Sequence, residues 1–280
     1  MRIAVTGGAG YIGSHTVVEL MGAGHEVLIL DSFVNAAPDV PDRIAGITGQ
    51  RPLVTRLDVT DAPTLTEALR RFEPDAVLHF AGLKAVGDAV ADPLEYYRVN
   101  VGGSLTLMRA MEATGCRRLV FSSSATVYGD PQSVPVREDF PRSASNPYGR
   151  SKLICEWMLD DAQVAHDLRF AALRYFNAAG ADTEGELGEH HDSVIAQLDD
   201  GALLVDAMSD QRGAATVVGT ALRRRTRSGR HGDLRGVQQA AGREGLVEEA
   251  EVHLVVVVGL EREGDEAAAV RLDVEVVDLQ

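Results

Sequence analysis

Apolar residues along the first 176 positions fall into short runs, and between the runs they recur at helical spacing. The runs are Ile3–Thr6, Glu26–Leu30, Leu53–Leu57, Ala76–Phe80, Leu119–Ser122 and Phe170–Tyr175. Each is nearly continuous rather than alternating, which predicts strands buried on both faces, as in a parallel sheet covered by helices above and below. Helical periodicity lies near Gly13–Met21, Thr64–Phe72, Leu94–Ala113 and Tyr148–Ala165. The longest opens at Pro93, a favoured first helical residue, and gathers Leu94, Tyr97, Val101, Leu105 and Met108 on one face. Strands alternating with helices predict the α/β class, with a doubly wound parallel Rossmann sheet.

The pattern changes near residue 180. All 14 aromatic residues lie at or before Phe176, and all 10 prolines at or before Pro147. From Ser193 to Gln280 there is no Lys, Pro, Asn, Cys or aromatic residue. This predicts two parts: a Rossmann domain over 1–180, and an atypical or poorly ordered segment over 181–280. A shifted reading frame is one origin for such a tail. Within it, Val255–Val258 reads as a strand, buried or exposed, and Arg223–Arg227 as a solvated loop.

Charge narrows the partners. With 27 basic and 42 acidic side chains the net charge is −15, which argues against nucleic acid and anionic membranes. No apolar run approaches the roughly 20 residues that span a bilayer, and the strand-like start is not a secretory leader. Cys116 and Cys155 form no CxxC pair, which suggests reduced thiols in the cytoplasm. No metal site is expected. Among 27 basic residues only Lys84 and Lys152 are lysines, which suggests sites that need a compact ammonium.

Candidate chemistry begins at the first strand, which runs into Gly7, Gly10 and Gly13 and then into a helix. Backbone without Cβ atoms turns this tightly and seats a pyrophosphate on the amides of Tyr11, Ile12 and Gly13. Asp31, ending the second strand, can accept from both adenosine ribose hydroxyls and would repel a 2′-phosphate, which favours NAD over NADP. Asn35 is placed to assist. Asp58 and Val59 end the third strand, where they can meet the adenine; Asp58 can equally cap the strand end. Phe80, Ala81 and Gly82 follow the fourth strand, where ligands approach an open sheet, and Lys84 can reach ribose or phosphate oxygens. His79, inside that strand, reads as a packed core residue. Tyr148 and Lys152 share a helix face at i and i+4. A free phenol, with a pKa near 10, is a poor base at neutral pH, and a neighbouring ammonium stabilises its anion. Ser124, at the carboxyl end of the fifth strand, can hydrogen-bond the same substrate oxygen.

Together TGGAGYIGSH, Leu30–Asp31, HFAGLKAVG, PLEYY, FSSSATVYGD, NPYGRSKL and LRYFNAAGA resemble the extended short-chain dehydrogenase/reductase family, over roughly residues 1–190. The likeness is strongest to its members that epimerise nucleotide sugars. It implies bound NAD, Tyr148 as base, Lys152 as its partner and Ser124 as hydroxyl anchor, with Thr126 beside it. It also implies Phe176 at the nicotinamide end, Asn177 at the diphosphate of a UDP-sugar, and a homodimer through the helices at Leu94–Ala113 and Tyr148–Ala165. Where the family often has Asn, this chain has Val99, so a cofactor contact there falls to Asn100 or is absent. The implied reaction is epimerisation at C4 of a UDP-hexose through a 4-keto sugar. A dehydratase would carry Asp-Glu after the threonine, where this chain reads Ser124-Ala125-Thr126. After residue 190 no substrate-lobe motif appears, so the alternative is an NAD-binding relative with impaired catalysis.

Overall fold

In a computed structural model the described residues are 1–133, 136–176, 178 and 187, with the backbone of 257–260 and 270–273. Six strands form one sheet: β1 (Arg2–Thr6), β2 (Glu26–Asp31), β3 (Leu53–Arg56), β4 (Ala76–His79), β5 (Arg118–Ser122) and β6 (Arg169–Leu173). Their order is β3-β2-β1-β4-β5-β6, and every neighbouring pair is parallel. The order reverses between β1 and β4, which opens a crevice at their carboxyl ends. This is the expected doubly wound Rossmann sheet.

Strand residues alternate between two cores. Ala4, Leu28, Leu30, Val77, Leu119 and Phe121 face α3 (Ala62–Phe72), α6 (Gly103–Thr114) and α7 (Pro147–His166). Ile3, Val5, Val27, Ile29, Leu78 and Val120 face α1 (Tyr11–Gly22) and α2 (Val40–Thr48). Over β1, β2, β4 and β5 both faces are covered, so these strands read as unbroken apolar runs. β3 departs from the expectation of burial on both faces: it lies at the sheet edge, with Leu53 50% and Val54 36% exposed. A fully buried side chain such as Leu69, reaching into the first core from α3, is worth about 1.5–3 kcal/mol of burial.

Two helices escaped the periodicity, and a third that it predicted is divided. The helix α2 carries Pro41 and Gly46, which dilute its apolar stripe, yet its ends are marked by that proline in the first turn and by left-handed Gly49. The short α4 (Val86–Ala91) is too brief to show a period. The expected helix Leu94–Ala113 is three pieces: α5 (Pro93–Tyr96), a π turn at Tyr97–Gly102, and α6. Its apolar stripe is divided: Val101 and Met108 pack against the first core, whereas Leu94 is 76% exposed and Leu105 44%. The fully buried side is Tyr96, Asn100, Ser104, Leu107 and Met111, where polar groups are buried because they are hydrogen-bonded.

A two-stranded antiparallel ladder joins β7 (Val257–Leu260) to β8 (Val270–Asp273), so part of the valine run is extended as expected. Arg223–Arg227 and the rest of 188–280 lie outside the described residues. Among the described residues no helix is long and apolar enough to cross a membrane.

Candidate active site

The turn from β1 into α1 depends on two glycines. A Cβ on Gly7, whose φ is +68°, would lie 2.6 Å from the Ala81 amide, and one on Gly13 would collide with the Gly7 carbonyl. Gly10 differs, because a Cβ there would meet only that carbonyl, at 3.3 Å. Its absent side chain leaves room above the opening amides of α1, including those of Tyr11 and Ile12, where the helix has no internal acceptors. Asp31 is 8% exposed; Oδ2 accepts from the Ala9 amide and Oδ1 from the Phe33 amide, each at 2.9 Å. Each oxygen retains a lone pair for a ligand hydroxyl. Asn35 lies exposed on the loop beyond.

Asp58 takes the capping position. Its Oδ1 accepts from the Thr60 amide at 2.9 Å and the Thr60 hydroxyl at 2.8 Å. The amide bond foremost holds its carboxyl below the usual range, with Arg98 adding to the effect. Val59 is buried against Gly103, where any side chain would strike it.

The loop after β4 is held from two sides. Phe80 and Ala81 donate to the Thr6 carbonyl at 2.9 and 3.1 Å. Asn100, in the π turn, accepts from the Leu83 amide at 2.8 Å and donates to the Leu83 carbonyl and the Ser151 hydroxyl, both at 3.0 Å. Both amide hydrogens are therefore committed, so Asn100 braces the loop against α7 rather than standing open as a donor. Gly82 lies against the Asn100 amide and the Lys152 ammonium, Phe80 and Ala81 are half-buried, and Lys84 is exposed farther along. His79 is a core residue as expected, 2% exposed, between Thr6 at 2.6 Å and Ser104 at 2.9 Å. Ser104 gives its own hydrogen to the Asn100 carbonyl at 2.6 Å, so the His79 Nε2–H donates to Ser104 and Nδ1 accepts from Thr6. Burial, and then the charge of Lys152, push its pKa down to about 3.

The ends of β5 and β6 meet the first half of α7. Lys152 is 5% exposed; its Nζ donates to the Ser122 carbonyl at 2.9 Å and lies 5.8 Å from the centre of the Tyr148 ring. Tyr148 is half-buried, with Tyr96 edge-on at 6.5 Å. Gly149 lets α7 close onto the 3₁₀ turn Ala125–Tyr128, since a Cβ there would be 2.7 Å from the Thr126 carbonyl. Ser124 opens that turn and accepts from the Thr126 amide at 3.2 Å and hydroxyl at 2.9 Å, keeping its own O–H to donate. The Tyr175 carbonyl accepts from the Ala125 amide, so the residue before Phe176 is bonded to the residue after Ser124, and Phe176 is 45% exposed. Asn177 lies outside the described residues. One crevice thus joins an anion seat, an ammonium, a phenol and a hydroxyl.

Against known families, residues 3–227 match the model of the NAD dependent epimerase/dehydratase family. The chain belongs to that family. The match runs past residue 190, where the recognisable motifs end. Similar family members include the UDP-glucose 4-epimerases of Bacillus subtilis, 47% identical over 199 residues, and of Yersinia pestis, 49% over 200. Each alignment covers 71% of this chain and 59% of the relative, so the chain spans about three fifths of their length. Among solved structures, the Stenotrophomonas maltophila UDP-glucose-4-epimerase with bound NAD and formylated UDP-arabinopyranose is 47% identical, with TM-score 0.66. The Bifidobacterium longum enzyme with NAD+ and UDP is 42% identical, also with TM-score 0.66. Each covers 68% of this chain and 57% of the solved one.

Proposed function

We propose that this chain is an NAD-dependent 4-epimerase of UDP-hexoses, interconverting UDP-glucose and UDP-galactose through a 4-keto sugar. The observation that carries this reading is the convergence of Ser124, Tyr148 and Lys152 on the crevice that the glycine turn opens. Tyr148, as phenolate, takes the proton of the sugar 4-hydroxyl and later returns it. The Lys152 ammonium stabilises that phenolate, and Ser124 donates to the same sugar oxygen, with Thr126 holding the serine in place. NAD, when bound, supplies the two-electron oxidant that takes hydride from C4 and gives it back. The chain fits it: the space over Gly10 and the first turn of α1 suit its pyrophosphate, Asp31 its ribose hydroxyls, and the backbone of residues 80–82 its nicotinamide half. Asn35, Lys84 and Phe176 complete that site in this reading, and Asn177 meets the sugar-nucleotide diphosphate.

We divide the chain at residue 180, with 181–280 standing where relatives carry their substrate lobe. The exposed apolar side chains Leu94, Leu105, Trp157 and Val164 support a homodimer through α5–α6 and α7; elution as a monomer on sizing would count against it. Two buried free cysteines suit a reducing cytoplasm.

A second reading is an NAD-binding protein without turnover, favoured by the two fifths of each relative that this chain does not match. A coupled assay of UDP-galactose conversion, run beside measurement of retained NAD, separates the two. Conversion supports the epimerase; retained NAD without conversion supports the second reading; neither overturns both.

A further inference from the structure

Three consecutive serines end β5, and each hydroxyl has a different partner. Ser122 pairs with the Tyr175 hydroxyl, Ser124 with Thr126, and Ser123 donates to Glu156 at 2.5 Å. Glu156 is 1% exposed and lies on α7, one helical step of four after Lys152 and two after Tyr148. Arg174 grips it with a two-pronged fork, Nε to Oε1 at 2.9 Å and Nη2 to Oε2 at 2.7 Å. Arg142 adds a bond to Oε2 at 3.0 Å. Four donors fill roughly the four acceptor sites of a carboxylate. Arg174 also donates to the Tyr128 hydroxyl at 2.7 Å, at the far end of the 3₁₀ turn that Ser124 opens.

Burial works to raise the Glu156 pKa, but the bonds from Arg174, Ser123 and Arg142 outweigh it and hold the carboxyl below its usual range. The group is therefore ionised, and it ties α7 to both strand ends at once. An ion cluster is a weak stabiliser by itself, since desolvation offsets much of the attraction. Its geometric effect is larger. The helix bearing Tyr148 and Lys152 is pinned, one turn farther on, to the residue that precedes Ser124.

We propose that Glu156 is a positioning residue that, through Ser123 and Arg174, sets the placement of Tyr148 and Lys152 on α7 against Ser124 on the end of β5. This rests on the epimerase reading for its consequence in turnover, though not for the tie itself. Removing Glu156 would strand the half-buried Arg174 cation and endanger the fold. Ser123→Ala cuts only the tie to β5 and leaves the carboxylate with both arginines, so it is the primary test.

In Ser123→Ala, kcat for UDP-galactose falls about tenfold or more, because misplacements well under 1 Å are costly between reacting groups. KM and bound NAD stay at wild-type values, and the melting temperature stays within about 4 °C, the shift expected of roughly 1 kcal/mol. Amide deuterium exchange rises at 123–128 and 147–152 while β1–β4 stay protected. A fall in melting temperature with kcat unchanged would overturn the proposal, as would unchanged kcat and unchanged exchange. If the wild-type chain converts no UDP-galactose, the epimerase reading fails by itself. The exchange data then decide the tie: faster exchange confined to those two segments sustains it, and unchanged or uniformly faster exchange overturns it. Glu156→Gln, which keeps the shape without the charge, serves as a second variant, expected to lose more turnover than Ser123→Ala wherever it folds.

Discussion

The two sides of the crevice are built from different materials. At the carboxyl ends of β1 and β2 the structure uses backbone: a glycine turn, the amides of α1, and a carboxylate held by two amides. At the ends of β5 and β6 it uses side chains, in which Ser122, Ser123, Lys152, Glu156, Arg174 and Tyr175 are each committed to a named partner. A backbone site needs atoms to be absent, so few residue types satisfy it. A side-chain site needs groups from distant segments to meet, and many sequences supply them without bringing them together.

The largest expected effect separates the sides outright. Tyr148→Phe should lower UDP-galactose conversion by about 10²–10⁴-fold while leaving bound NAD near the wild-type amount. Loss of NAD along with activity would show that the two sides are not separable. Gly7→Ala strikes the other side. A Cβ 2.6 Å from the Ala81 amide, at φ +68°, should lower stability by about 1–3 kcal/mol and strip NAD, read by melting temperature and cofactor absorbance. Normal NAD content in that variant would break the claim that the turn has no room.

The smallest effect concerns the floor between the two sides. His79 is neutral in the folded chain with a pKa near 3, whereas an unfolded histidine protonates near 6.5. Its folded pKa is depressed, so the unfolded state binds the extra proton first and stability is lost as pH falls below about 6.5. The slope is at most about 1.4 kcal/mol per pH unit. Measured by urea unfolding between pH 7 and pH 4.5, where few carboxylates titrate, that slope should flatten in His79→Gln. An unchanged slope would assign it to another group.

Legibility followed the same division. Six strands, the glycine turn, Asp31 and the Tyr148–Lys152 pair could all be read from local patterns. The two readings of Asp58 are compatible, since both of its bonds to Thr60 fall on Oδ1. A cofactor contact at this position fell to Asn100 or was absent in the sequence reading, and the structure adds bonds from its amide to Leu83 and Ser151 that no local pattern announced. The Glu156–Arg174 pair went unread, although a glutamate four residues after Lys152 continues the spacing of Tyr148 and Lys152 along one helix face. The apolar stripe of the 93–113 segment was half right about the core, where Val101 and Met108 pack and Leu94 and Leu105 do not, since hydrophobicity marks a surface that avoids water without naming what covers it.

Local sequence by itself determined the strands, the glycine turn and the residues proposed to react, because these depend on neighbours within about five residues. Only the tertiary structure decided which partner holds Ser123, and which buried carboxylate ties α7 to the sheet. Those outcomes depend on contacts between residues 33 and 18 positions apart, Ser123 and Arg174 with Glu156, which no local pattern encodes.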